Sequence, residues 1–173
     1  MRLDCGVCVV RSYRHDDAEA LVKYANNRNV SRYMRDSFPY PYTMADARSW
    51  LRYAVDIHHA ETHFAIDCNR EAVGGLGFTR FPGERRFTAE FGYWLGEGFW
   101  GRGIATAAVG GFVDWLWRET DLQRVQAGVF KPNAASRRVL EKCGFAYEST
   151  LQRDVFKDGR FVDTQLFVKL RAE

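Results

Sequence analysis

No stretch of this sequence approaches the roughly 20 consecutive apolar residues that a membrane-spanning helix needs. Its first residues, MRLDCGVCVVRSYRHDD, hold an apolar run too short for a secretory leader, with no small-residue cleavage site behind it. These absences point to a protein of the cytoplasm with no membrane partner. Charge of one sign is scarce as well. Twenty-five basic against 22 acidic residues leave a net charge of +3, less than the basic excess of most nucleic-acid binders. Proline and cysteine each occur only four times. Cys5 and Cys8 form a C-x-x-C, but no second close pair of Cys or His completes a zinc site. His58, His59 and His63 do not match H-E-x-x-H. The expectation is buried, reduced thiols and no metal. Low-complexity segments, repeats and linkers are all missing, so residues 1–173 read as one domain with one core.

What is present is a mixed pattern of helices and strands. CGVCVVRSY is a short β-rich run. Asp16 and Asp17 open a helix carrying Ala18, Leu21, Val22 and Ala25 at helical intervals. FPYPYT follows, where Pro39 and Pro41 forbid regular structure. Thr43 caps the next helix with Asp46 three residues on, and Ala47, Trp50, Leu51, Ala54 and Val55 make its apolar face. The pattern then turns to β. THFAIDC and EAVGGLGFTRF are strands joined near Asn69-Arg70, and RFTAEFGYWL is a third. A helix with Ile104, Ala105, Ala108, Val109, Phe112 and Leu116 on one face comes next, then the strand RVQAGVF. NAASRRVLEKCGF is a helix with Asn133 as N-cap and Gly144 in the C-terminal cap position. The closing hairpin turns at Asp158-Gly159. The sum is a mixed sheet with helices on its faces.

The densest signal is FWGRGIATAA, residues 99–108. A dinucleotide fingerprint would need a glycine where Thr106 stands and would follow the first strand of its unit; a P-loop would need a Gly-Lys-Ser/Thr that is absent. What remains is a strand, a tight turn and a helix N-terminus, whose unpaired N–H groups suit a pyrophosphate. Arg102 adds positive charge, and Ala105 and Thr106 leave the first turn unobstructed. A plain glycine turn remains the alternative on this stretch alone.

The second signal, KPNAASRRVLEKCGF, lies one strand later. With it, residues 86–145 resemble the GNAT superfamily of acyl-CoA N-acyltransferases, most of all the ribosomal-protein N-terminal (alanine/serine) acetyltransferase subgroup. The resemblance extends to FPYPYT and the final hairpin. It implies a mixed α/β (α+β) fold with a mostly antiparallel sheet of six to seven strands, splayed in the middle, and helices on both faces. It also implies acetyl-CoA as cosubstrate and an amine-bearing acceptor, either a peptide N-terminus or a small molecule, in a monomer or homodimer.

The family's [QR]-x-x-G-x-[GA] turn falls on Trp100, Gly101, Arg102, Gly103, Ile104 and Ala105. Trp100 departs from Gln or Arg, which leaves the binding to the backbone. Asn133 matches an Asn that touches the pantetheine arm. Leu140 stands where many members carry a Tyr acid, and Ser136 matches the Ser used instead by the ribosomal subgroup. The splay implied by the resemblance lies between RFTAEFGYWL and RVQAGVF, with a backbone N–H of Tyr93, Trp94 or Leu95 polarising the thioester.

Direct transfer to an amine also needs a proton acceptor. Glu90 lies on the strand before the turn among apolar neighbours, where burial would raise its basicity. Glu97, beside the turn, is its rival. Phe38, Tyr40 and Tyr42 form a proline-stiffened aromatic loop, read either as a wall of the acceptor pocket or as a plug under the sheet. Acidic residues are scattered, so no polyamine pocket is evident. A non-catalytic acyl-CoA-binding module and a nucleic-acid-binding regulator are the competing readings.

Overall fold

The computed structural model describes residues 1–57 and 62–172. It has eight strands where six to seven were expected. They are β1 (Arg2–Asp4), β2 (Val9–Ser12), β3 (His63–Cys68), β4 (Glu71–Arg80), β5 (Thr88–Leu95), β6 (Arg124–Phe130), β7 (Ala146–Lys157) and β8 (Arg160–Leu170), hydrogen-bonded in the order β1-β2-β3-β4-β5-β6-β8-β7. The extra strand arises at the N-terminus. CGVC is a turn: the Cys5 amide donates to the Cys8 carbonyl at 2.9 Å and the Gly6 amide to the Asp4 carboxylate at 2.8 Å. That turn folds the first residues back so that Leu3 faces Val10.

The helices are α1 (Ala18–Ala25), α2 (Arg28–Ser31), α3 (Met44–Leu51), α4 (Ile104–Glu119) and α5 (Ala134–Lys142). The chain divides into two compact units, one of Met1–Gly77 with Tyr93–Gly111, the other of Phe78–Gly92 with Phe112–Glu173.

In the first unit, β2 pairs antiparallel with β3, and β3 with β4 across the Asn69-Arg70 turn, where both residues take positive φ. α1 and α3 bury Leu21, Ala25, Ala47 and Leu51 with Tyr13, Tyr42, Ala65 and Ala72. The capping box before α3 forms as the sequence suggests. Thr43 Oγ1 accepts from the Asp46 amide at 3.3 Å, and the Asp46 carboxylate accepts from the Thr43 amide at 2.7 Å. The Thr43 hydroxyl and amide together hold the Asp46 carboxyl below its usual range. The apolar spacing extends this helix through Val55. Instead the α-helix ends at Leu51 and Arg52–Ile57 form a wider π-helical turn. There the Trp50 and Tyr53 rings lie 5.7 Å apart, and both meet His63.

One polar cluster is sealed inside this unit. The Arg11 guanidinium, 3% exposed, donates from Nη1 and Nη2 to both oxygens of Asp17, at 2.9 and 2.6 Å, and from Nε to Asp67 at 2.6 Å. Backbone amides complete it: Arg14 donates to Asp17 at 2.8 Å and Arg70 to Asp67 at 2.9 Å. Asp17, read from sequence as a helix starter, occupies a short 3-10 turn ahead of α1 and is buried there. The hydrogen bond to Asp17 chiefly drives the Arg11 pKa above its ordinary value, so the cation persists at any working pH.

In the second unit, β5 runs parallel to β6 through Thr88, Ala89 and Glu90, opposite Arg124, Val125 and Gln126. The register ends at Glu90, in the region where the family resemblance calls for a splay. β6 pairs antiparallel with β8 and β8 with β7. The β7–β8 turn has Asp158 at φ 51° and Gly159 at φ 77°, as a type I′ turn requires. Phe91 stacks on Phe112 at 5.8 Å and on Phe145 at 6.3 Å.

Removing one partner of a buried ion pair leaves uncompensated charge in the core, at a cost of about 3–5 kcal/mol. Arg11→Met is therefore expected to lose about that much stability in urea unfolding. Lys23→Met, which breaks the exposed Lys23–Glu71 pair, is expected to leave the midpoint almost unchanged. Equal, small losses in both would show that the buried cluster does not hold the unit together.

Candidate active site

The glycine turn, expected from the sequence to take a pyrophosphate, follows β5. The Phe99 and Trp100 amides close on the Gly96 and Glu97 carbonyls at 3.0 and 3.1 Å. Trp100 explains its own departure from the family pattern: its indole N–H donates to the Leu95 carbonyl at 2.7 Å, tying the turn to the strand. The chain then passes through Gly101 at φ 71° and Gly103 at φ 75°, left-handed conformations that L side chains rarely adopt. A Cβ built at either glycine meets nothing within 4 Å. Backbone angle, and not crowding, demands glycine there, and the space over the turn is open. Among the described residues no backbone carbonyl closes on the amides of Gly101, Arg102 or Gly103. α4 starts at Ile104, so the amides of Ile104 and Ala105 belong to its first turn, which has no preceding helical carbonyls. Arg102 is exposed, its guanidinium 5.5 Å from the Phe99 ring. Together these make a concave row of donors with one cation beside it, a surface suited to a diphosphate.

Tyr93 and Trp94 are half-buried and Leu95 is buried. The Trp94 ring packs against the α1–α3 core and meets Phe38 edge-on at 5.4 Å. The aromatic loop divides between its two readings. Tyr42 is a core residue, 6% exposed, and burial pushes its phenol up to about 12, so it stays neutral. Phe38 tilts against it at 5.3 Å. Tyr40 is different: it is 48% exposed, precedes Pro41 through a cis peptide bond, and lies 5.5 Å from the Arg28 guanidinium. Tyr42 is thus buried in the core, Phe38 is half-buried against it, and Tyr40 is the exposed one of the three.

Glu97, the rival base, is engaged. Its two oxygens accept from Asn27 Nδ2 at 2.7 Å and Asn29 Nδ2 at 2.9 Å. The sequence reading passed over these asparagines as the end of a helix. The signal available was an unusual polar run, NNRN, between two helical segments.

In the second unit, Glu90 is half-buried between buried Ala89 and Phe91, less enclosed than expected. Asn133 is the N-cap of α5, its Oδ1 accepting from the Ser136 amide at 3.2 Å. That cap uses Oδ1 and leaves Nδ2 as a donor for another group. Ser136 is half-buried in the first turn of α5, and Leu140 is fully buried, so the family's Tyr position is here part of the core.

The cysteines are all free thiols, but only Cys8 is buried; Cys5, Cys68 and Cys143 are partly exposed, a correction to the expectation of buried sulfur. The reason lies in the CGVC turn, which puts Cys5 at the edge of the hairpin. A hydrogen bond between Cys5 and Cys8 lowers the first thiol and raises the second. Among the described residues no His, Cys, Asp or Glu side chains group as metal ligands, and no helix is long and apolar enough to cross a membrane. His58 and His59 lie outside the described residues.

An acetyltransferase (GNAT) domain model matches residues 8–146, from the CGVC turn through both signal segments. The chain belongs to the GNAT acetyltransferase family. Membership makes it an acyl-CoA-dependent acetyltransferase. It is 29% identical over 169 residues to the uncharacterised N-acetyltransferase p20 of Bacillus licheniformis, covering 95% of this chain and 93% of that protein. It is 25% identical over 166 residues to a spermidine N(1)-acetyltransferase of Vibrio cholerae, covering 95% and 93%. The fold matches that of a ribosomal L7/L12 alpha-N-protein acetyltransferase solved in complex with coenzyme A. That match has a TM-score of 0.87 and 20% identity and covers 98% of each chain.

A β-branched side chain at Gly103 forces the turn out of its left-handed angle and obstructs approach to its amides. Gly103→Val is expected to remain folded and to bind coenzyme A at least about tenfold more weakly by calorimetry. Unchanged affinity in a folded variant would remove the turn from the binding site.

Proposed function

We propose that this enzyme moves the acetyl group of acetyl-CoA directly to a primary amine, and that residues 1–173 act as one acetyltransferase domain in the cytoplasm. The observation that carries the reading is the donor row at Gly101–Ala105, opening α4 and including Arg102. Coenzyme A presents a diphosphate of matching charge. The coenzyme A bound in the L7/L12 acetyltransferase of the same fold supports the same choice.

Each remaining residue has a role that its chemistry permits. Glu90 takes the proton from the amine, directly or through one water, as the nitrogen attacks the thioester carbon. A backbone N–H of Tyr93–Leu95 stabilises the carbonyl oxygen as it gains charge. The C–S bond then breaks, its electron pair leaves on the coenzyme A sulfur, and the Ser136 hydroxyl steadies that thiolate by donating a hydrogen bond to it. Asn133 holds the pantetheine amide through Nδ2, while its Oδ1 keeps α5 capped.

The acceptor follows from Tyr40. It is the exposed member of the aromatic loop, with the Arg28 guanidinium 5.5 Å from its ring. An exposed aromatic wall suits a peptide N-terminus, which carries a single amine on an extended backbone, better than a polycation such as spermidine. The pre-stiffened loop, with Pro39 and Pro41, needs little ordering to receive it. The likeness to the ribosomal-protein enzyme supports this acceptor; the likeness to the spermidine enzyme supports the rival.

Thiol release from acetyl-CoA, measured against N-terminal peptides and against spermidine, tests both parts. The peptides are expected to be used in preference to spermidine. Glu90→Gln is expected to lower kcat by about 10²–10⁴ with coenzyme A affinity unchanged. Preference for spermidine would overturn the acceptor assignment, and a fully active Glu90→Gln would overturn the base.

A further inference from the structure

The run Asn26–Asn29 touches two functional segments in alternation. Asn27 and Asn29 grip the Glu97 carboxylate, at 2.7 and 2.9 Å, where the chain enters the glycine turn. Asn26 and Arg28 reach the aromatic loop: Asn26 Oδ1 accepts from the Tyr42 amide at 3.1 Å, and the Arg28 guanidinium lies 5.5 Å from the Tyr40 ring. The run itself is rigidly held. The Asn27 amide donates to the Ala25 carbonyl at 2.7 Å, and Asn27 Oδ1 caps α2 by accepting from the Asn29 amide at 2.7 Å. Both polar atoms of the Asn27 side chain are therefore used, one on each side. A ring contact reinforces the grip: Phe99, two residues past Glu97, meets Tyr24 edge-on at 5.2 Å, and the Tyr24 hydroxyl donates to Glu71.

From this geometry we infer that Glu97 is a positioning residue, and that Asn26–Asn29 couple the cofactor turn to the acceptor loop. Coenzyme A seated on the turn stiffens the loop that meets the acceptor. Charge-assisted amide–carboxylate bonds are among the stronger side-chain contacts and fix direction as well as distance. A turn ordered by a diphosphate holds Glu97 still, Glu97 holds Asn27 and Asn29, and their neighbours hold Tyr40 and Tyr42. Binding at one end is thereby linked to order at the other, and the linkage acts equally in both directions. Glu97 then serves position, and the proposed proton acceptor is Glu90. The inference rests on the reading that the turn binds coenzyme A.

The Tyr42 amide is itself a reporter, because its hydrogen bond runs to Asn26. Hydrogen exchange of this amide, followed with and without saturating coenzyme A, tests the coupling. In the unaltered protein coenzyme A is expected to slow exchange about fivefold or more. Asn27→Asp keeps the α2 cap but sets a carboxylate against Glu97, and Glu97→Ala removes the grip outright. Both variants are expected to bind coenzyme A yet show no slowing at Tyr42, while Glu97→Gln, which keeps one acceptor oxygen, restores part of it. Slowing of equal size in Asn27→Asp, or none in the unaltered protein when coenzyme A is bound, overturns the coupling alone. Failure of the unaltered protein to bind coenzyme A overturns the cofactor reading together with it.

Discussion

Everything in the first unit is hung on the Arg11 guanidinium. It is one cation between two carboxylates, sealed from water, with five hydrogen bonds from Arg11 and two backbone amides fixing where the carboxylates sit. Three parts of the chain meet there: β2 supplies Arg11, β3 supplies Asp67, and the turn into α1 supplies Asp17. An apolar trio would bury as well, but it would not fix direction. A planar fork donating to one carboxylate through two nitrogens and to another through the third admits only one arrangement of these three segments. α1 therefore leaves the sheet at a set angle, and its C-terminal end delivers Asn26–Asn29 to Glu97 and to the aromatic loop. The polar core thus helps place the glycine turn and the aromatic loop within this unit.

The turn places few demands on side chains. Two glycines supply left-handed backbone angles, Trp100 anchors the turn to Leu95, and the amides are left to face outward. Trp100 in place of a Gln or Arg thus contributes structure, and in the proposed site the main chain recognises the diphosphate. A site made of backbone tolerates sequence drift, which is consistent with a fold shared at 20% identity. The proposed acceptor wall is the opposite case: it is made of exposed side chains, Tyr40 and Arg28.

Much of the local structure was legible because it is written in adjacent residues. The Thr43–Asp46 box, the Asn133 cap, and the Asn69-Arg70 and Asp158-Gly159 turns each rest on side chains or backbone angles within four residues. The glycine turn was legible for the same reason. What escaped depends on residues far apart in sequence. Arg11 and Asp67 are 56 positions apart, and Asn27 and Glu97 are 70 apart. The first pairing leaves no local trace, and the second leaves only the polar run NNRN. Tyr40 and Tyr42 have the same side chain two residues apart, yet one is exposed and the other is core. Their neighbours in space decide that. The count of strands failed at CGVC, because a single apolar run concealed a four-residue turn that only its hydrogen bonds disclose.

The central claim is that main-chain amides of this turn hold the diphosphate of acetyl-CoA. The most direct measurement is a titration of the nitrogen-15-labelled protein with coenzyme A, followed amide by amide in solution. The account predicts that the amide resonances of Gly101, Arg102, Gly103, Ile104 and Ala105 move most, as hydrogen bonds to phosphate oxygens form. Saturation by coenzyme A with these five resonances unmoved, and the large shifts elsewhere, would contradict it.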